Sequence, residues 1–264
     1  MSNTTNSWLF PPRTREVQFD EKWSFVGKKE KHCAEQESQQ GDCWDHVALD
    51  PEHRLVLSVV PGKRTVENTE AVVNDFRRRT GNRQMRLITS DEYKPYKGAI
   101  LKAYGEKITP PRSGKPGRPC GSYYKPPDDL QYATVHKTRE NGRVTKIDYR
   151  IVFGQPENVE AALKQSRVSN KINTAFVERQ NGTDRNRNAR KVRKTYCFSK
   201  DWDVHHAVTY FTMYSYNYCW PVRTLRVQGS DGRWHEQTPA MVAGLTDHVW
   251  TLAQWLKRPS VQRE

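Results

Sequence analysis

The sequence predicts an α/β fold. Three strand-like apolar runs follow one another between residues 15 and 60, a stretch with helical spacing covers 65–80, and a further strand-like run closes at Asp91. The order is therefore strand, strand, strand, helix, strand. A chain of 264 residues suits one large domain, or one domain with a small appendage.

The first run, residues 15–26, places Val17, Phe19, Trp23 and Phe25 on one face of a strand and Asp20 and Lys22 on the other. Glu21 shares parity with the apolar set, which makes it a poorer ligand candidate than Asp20. Residues 27–42 read as a charged loop. Residues 43–49 and 54–60 form an antiparallel hairpin turned at Asp50-Pro51-Glu52-His53, because proline suits the second position of a tight turn and Leu55 to Val60 is rich in β-formers. Pro61-Gly62 ends the third strand. Val66, Thr69, Val72, Val73 and Phe76 recur at helical spacing from Thr65 to Thr80, and Gly81 stops that helix. Residues 84–90 make the fourth strand, ending at Asp91, and Gly98 to Tyr104 a short helix.

Ile108 to Asp128 is rich in proline and glycine and carries Arg112, Lys115, Arg118 and Lys125. It reads equally as a solvated surface segment or as a loop tracking DNA. Tyr132–Lys137 and Arg143–Phe153, separated by Glu140-Asn141-Gly142, predict a hairpin with an Asn-Gly turn. It is expected as part of an insertion, at about 106–155, into a core spanning 15–220.

In the helix predicted from Asn173, Ile172, Ala175 and Phe176 form the buried stripe, and Glu178, Asn181 and Arg185 cluster on a neighbouring face. Gly182 costs about 1 kcal/mol relative to alanine in mid-helix, which allows a break there. Beyond it Arg185, Arg187, Arg190, Lys191, Arg193 and Lys194 form a basic run dense enough for several phosphates; the alternative is an exposed basic helix face. His205-His206 precede a helix with Tyr210, Phe211, Tyr214 and Tyr218, whose spacing suits core packing. Thr238-Pro239 fits a helix N-cap followed by proline, and Thr246-Asp247 opens a helix ending near Lys257. The segment 221–264 is thus expected to be helical, and 1–14 a polar tail.

The chain holds 44 Lys+Arg against 30 Asp+Glu, a net charge of +14. Such a field attracts polyanions at long range, nucleic acid first among them. No apolar run approaches the roughly 18 residues of a membrane-spanning helix, and residues 1–10 lack the basic start and apolar centre of a signal peptide. A cytoplasmic, nucleoid-associated protein without a membrane partner is expected. None of the five cysteines forms a Cys-x-x-Cys pair, and His32-Cys33 with Cys43 lacks a fourth ligand at zinc spacing. Reduced thiols follow.

Against this positive background, Asp20, Asp91 and Glu178 stand in strand-end and helix settings suited to holding divalent cations. The blocks Phe19-Asp20-Glu21-Lys22-Trp23-Ser24-Phe25-Val26-Gly27-Lys28-Lys29, Thr89-Ser90-Asp91, Phe176-Val177-Glu178-Arg179-Gln180-Asn181 and Arg190-Lys191-Val192-Arg193-Lys194-Thr195 resemble the catalytic domain of DDE transposases of the insertion-sequence-one family. Tyr216 to Leu225 and Thr238-Pro239-Ala240-Met241 are similar to the closing segment of such enzymes. The resemblance runs from about Arg15 to Trp250; Val222 departs from it where related sequences often have histidine.

The resemblance implies an RNase H-like mixed sheet flanked by helices, with the first and fourth strands adjacent. It implies Asp20, Asp91 and Glu178 as catalytic residues and ligands of two Mg²⁺ or Mn²⁺ ions, performing DNA strand cleavage and strand transfer in transposition. Two such ions, roughly 3.5 to 4 Å apart, clamp an in-line displacement at phosphorus without a covalent protein nucleophile. Arg179, Asn181 and Arg185 would position phosphates, with Arg187, Arg190, Lys191, Arg193 and Lys194 as further DNA contacts. The expected partners are element-end and target DNA and a second copy of the chain in a homodimer or higher synaptic oligomer. Full-length members carry an N-terminal DNA-recognition region, whereas residues 1–14 alone precede the first strand here. The chain is therefore expected to be one of two frames joined by frameshifting, or a truncated copy, with a separately encoded recognition protein as a further partner. A catalytically inactive remnant that binds DNA or regulates transposition is the alternative.

Overall fold

The computed structural model describes residues 13–34, 40–110 and 121–258. Arg112, Lys115 and Arg118 of the proline-rich stretch, and most of the N-terminal tail, lie outside the described residues. The chain is α/β: a mixed six-stranded sheet flanked by helices. Strands β1 (Glu16–Val26), β2 (Gly41–Asp50) and β3 (Leu55–Gly62) run antiparallel in succession. Helix α1 (Val66–Arg79) then crosses back, and β4 (Leu87–Asp91) lies parallel to β1 on its other side. Thr65 caps α1, accepting from the Asn68 amide at 3.3 Å, and Gly81 leaves it at φ +63°.

Helix α2 (Pro95–Tyr104) begins three residues earlier than its apolar spacing suggested, with proline in its first turn. A short ladder joins β5 (Glu106–Ile108) to β6 (Tyr123–Lys125). Strands β7 (Tyr132–Glu140) and β8 (Arg143–Phe153) form the predicted hairpin, turned through Asn141 and Gly142, both at positive φ. The hairpin is not an insertion outside the core sheet. β7 pairs parallel with β4, and the sheet order is β3-β2-β1-β4-β7-β8. Tyr132, Ala133 and Val135 are buried, which makes the inner half of β7 a core strand. Its outer half is polar and exposed, and that half shaped the expectation.

Helices α3 (Pro156–Gln165), α4 (Ala175–Arg187) and α5 (Trp202–Cys219) follow, with a 3-10 turn at Ala189–Lys191 between the last two. Gly182 does not break α4. The C-terminal segment is only partly helical: β9 (Val227–Gln228) and β10 (Trp234–His235) pair, and α6 (Pro239–Val242) and α7 (Leu252–Leu256) are short. Thr238 caps α6, and Tyr218 of α5 holds the segment through Trp250, with ring centroids 4.6 Å apart.

Two cores sandwich the sheet. On one face Val17, Phe19, Ala48, Leu57 and Ile88 meet α1 and α2 through Val72, Val73, Phe76, Tyr96 and Ile100. Phe19 is fully buried between Phe76 and Tyr96, with centroids at 5.5 and 5.4 Å. Burial of each such side chain stabilises by roughly 1.5–3 kcal/mol. On the other face Val47, Leu49, Val56 and Val59 meet Val177, Met213 and Tyr216 of α4 and α5. Asn217 closes the β3 edge, accepting from the Val56 amide at 3.0 Å and donating to its carbonyl at 2.8 Å.

The helix stripe expected at Ile172, Ala175 and Phe176 is displaced. Ala175 is exposed, and the buried residues of α4 are Val177, Gln180, Asn181 and Asp184, mostly polar. Their partners lie on β1. Gln18 accepts from the Phe176 and Val177 amides, both at 3.1 Å, so a strand side chain caps the N-terminus of α4. Two residues on, Asp20 accepts from Asn181 Nδ2 at 2.8 Å. Two further, Lys22 donates to Asp184, with Asp45 of β2 at 3.2 Å.

Lys22, Asp45 and Asp184 are all essentially without solvent. Removing one member of a buried ion pair strands the other and costs roughly 3–5 kcal/mol, whereas an exposed pair is worth at most about 1 kcal/mol. Lys22→Met is therefore expected to lower stability in urea unfolding by about 3–5 kcal/mol. Lys63→Met, which breaks the exposed Lys63–Glu30 pair, should shift it by under about 1 kcal/mol.

Candidate active site

β1 and β7 run past the end of β4, and the space between them is an open cleft of about 750 Å³. Asp20, Asp91 and Glu178 all line it, with Arg64, Tyr93, Lys137, Arg139 and Thr174. The register explains the meeting of Asp20 and Asp91. Phe19 pairs with Ser90 in the parallel β1–β4 ladder, so the next residue of each strand, Asp20 and Asp91, emerges side by side. Glu178 arrives from the first turn of α4, whose N-terminus Gln18 fixes to the same strand.

The electrostatics record this crowding. Burial first, then the charges of Asp91, Glu21 and Glu178, push the Asp20 carboxyl up to about 7. Asp91 is also raised, chiefly by burial, although the Tyr93 amide bonds its Oδ1 at 3.2 Å. Glu178 accepts from Lys137 Nζ and, at 2.5 Å, from the Thr174 hydroxyl. Lys137 is thus the cation that balances the outermost carboxylate. Glu21 points to the opposite sheet face, where Arg64 bonds it at 2.8 Å; burial and Asp91 raise it to about 7.

Beneath the cleft lies a second charged cluster. Lys191 donates to Asp45 and, at 2.5 Å, to the Thr209 hydroxyl, while Thr212 bonds Asp184 at 2.7 Å. Although burial opposes it, Lys191 and Lys22 hold the Asp45 carboxyl well below the usual carboxylate range. Cys43, Asp45 and His205 bring three donor atoms within 4.8 Å of one another, the one such group among the described residues. Its chemistry suits a hydrogen-bonded core better than a metal. Two lysines already neutralise Asp45, and burial pushes the Cys43 thiol up to about 12. Burial likewise lowers His205 to about 4, and its two ring nitrogens face Ser199 Oγ at 2.8 Å and Ser24 Oγ at 3.2 Å.

The expected DNA contacts divide. Arg179, Arg193 and Lys194 are exposed, and Arg185 and Arg190 half-buried, so these five remain on the surface. Two are corrected, and a third, Arg187, is half-buried with its guanidinium engaged inside the fold. Asn181 is buried and turned to Asp20, where it orients a carboxylate and not a phosphate. Lys191 is buried on Asp45. Arg187 donates to the Thr212 carbonyl at 2.8 Å and stacks 4.7 Å from the Trp220 ring, which ties α4 to α5. Burial and the like charge of Arg193 act against the Arg185 guanidinium, and the charges of Asp20, Asp45 and Asp184 work in its favour.

Sequence reasoning missed Gln18, Lys137 and Asp184. The period-two series Gln18, Asp20, Lys22 could have exposed the first, and the three-residue step from Asn181 the last. Nothing local marks Lys137. Comparison with models of known protein families gives no match, and comparison with curated proteins gives none either.

Asp20 and Glu21 give a signed pH dependence. Each keeps its proton in the fold at pH values where the unfolded chain has lost it, so the folded state binds more protons between the ordinary carboxyl values and about 7. Without added cations, stability should fall as pH rises through that window. Asp20→Asn is expected to be more stable than the parent at pH 8, the two converging near pH 4, in denaturant unfolding across the range. Equal slopes for the two proteins would contradict the assignment.

Proposed function

We propose that this chain is a metal-dependent DNA strand-transferase of the DDE type, as its likeness to insertion-sequence-one transposases implies. The observation that carries the reading is the shared cleft of Asp20, Asp91 and Glu178, three carboxylates from two parallel strands and a helix within a basic chain. The sheet order, with its first and fourth strands adjacent and parallel, supports an RNase H-like core.

The donor set fits a hard divalent cation, since it is all carboxylate oxygen, and burial together with the charges of its neighbours raises the Asp20 carboxyl to about 7. Asp20, Asp91 and Glu178 would hold Mg²⁺ or Mn²⁺, which when bound supplies neutralising charge and an activated hydroxyl at phosphorus. The chain's own residues do the rest. Asn181 fixes the Asp20 carboxylate, Gln18 fixes the helix that brings Glu178, and Lys137 holds Glu178 at the cleft wall. Arg64, Lys94 and Arg139 line the cleft and would supply positive charge to a phosphate backbone entering it. DNA is accordingly the proposed substrate. Among the described residues no helix is long and apolar enough to cross a membrane.

Cleavage and joining of a labelled element-end duplex should require Mg²⁺ or Mn²⁺ and vanish with EDTA. Asp91→Asn should lose roughly 10³-fold or more of turnover, since metal-based charge stabilisation is worth several kcal/mol, while keeping salt-sensitive DNA binding. Undiminished joining by Asp91→Asn would sink the reading. DNA binding without turnover in the parent would leave a binding role only.

A further inference from the structure

The sheet continues past the carboxylates, and its outermost strand is unusual. Ile147, Tyr149 and Ile151 of β8 are 47, 48 and 38% exposed, a run of large apolar side chains at period two on an edge strand. The register fixes which face they share. Tyr149 pairs with Val135 and Ile147 with Lys137, and cross-strand partners project to the same side of a sheet. Val135 and Lys137 line the carboxylate cleft, together with Arg139 on the same strand. The exposed stripe is therefore the lateral continuation of the cleft floor, with Lys137 and Arg139 at the junction.

An apolar stripe on an edge strand is a liability in a soluble protein, and one aromatic beside a basic rim is the arrangement that binds unpaired nucleobases. The basic rim takes the backbone. The ring and the isoleucines take the base faces, which a duplex hides within its own stack. We propose that the β7–β8 face is a stacking platform for unpaired DNA nucleotides next to the phosphate held in the cleft, with the Tyr149 ring as its centre. The proposal rests on the reading of the cleft as a DNA strand-transfer site, and adds that the substrate there is locally single-stranded. A blunt duplex would then be a poorer ligand than one with a single-stranded extension.

The test is fluorescence anisotropy of the full chain in EDTA, where no turnover occurs. Two labelled duplexes of one sequence are compared, one blunt and one with a single-stranded overhang of several nucleotides. Tyr149 is half exposed, so Tyr149→Ala should fold as the parent does. It should lose on the order of tenfold in affinity for the overhang duplex and little for the blunt one, and Tyr149→Phe should bind both as the parent does, because stacking needs the ring and not the hydroxyl. The salt dependence should be the same in all three proteins, since no phosphate contact is removed.

Equal binding of the overhang duplex by parent and Tyr149→Ala would overturn the platform. An equal loss on both duplexes, accompanied by conversion of an oligomer to monomer in sedimentation, would also overturn it and give the stripe to a second copy of the chain. Failure of the parent to bind either duplex would remove both this proposal and the strand-transfer reading. Continued Asp91-dependent turnover with no effect of Tyr149→Ala would remove the platform alone.

Discussion

The fold turns on one side of strand β1 holding helix α4. Gln18, Asp20 and Lys22 project from successive even positions and engage α4 at its amino end, at Asn181 and at Asp184. Each contact is polar and buried or nearly so, and each would be costly to leave unmade. Ordinary apolar packing would hold a helix against a sheet with freedom to slide. This set fixes rotation and translation together, because the three contacts lie one below another along the helix and only one register satisfies them all.

That constraint decides where Glu178 goes. It stands on the first turn of α4, one turn before Asn181, so the side chains that seat the helix also deliver the carboxylate to the cleft edge. Asp91 is delivered independently, by the parallel pairing of β4 with β1. Asp20 belongs to both arrangements, as a cleft carboxylate and as one tooth of the grip. The cluster of Lys22, Asp45, Asp184 and Lys191 beneath it contains two carboxylates and two ammonium groups, which balances a volume that water does not reach. The cleft above is not balanced in the same way. Its carboxylates have Lys137 and Arg64 at the margins and repel one another at the centre, so a neutralised cluster lies below and a frustrated one above.

Much of the architecture was legible in the chain. The alternation around Val17 and Phe19, the β-rich run after Leu55 and the helical spacing from Val66 to Phe76 are local signals of local structure, and β1 to β4 with α1 follow them. The Asn-Gly turn located the β7–β8 hairpin correctly, but its exposed outer half concealed that Tyr132 to Val135 belongs to the central sheet. The reading of α4 failed for a physical reason: apolar periodicity locates a buried face only if that face is apolar, and here it is Gln180, Asn181 and Asp184. Lys191 was misread for the same reason. A lysine within a basic run looks like a phosphate contact until a buried aspartate from a distant strand claims it.

The linear order of residues set the chemical identities, the element types and the candidacy of Asp20, Asp91 and Glu178, because those depend on side-chain type and on neighbours a few positions away. Three-dimensional packing settled which of the basic residues stay on the surface, which polar ones turn inward, and which lysine stands against Glu178. Those outcomes depend on strand register and on removal from water, and both arise only when segments far apart in the chain are brought together.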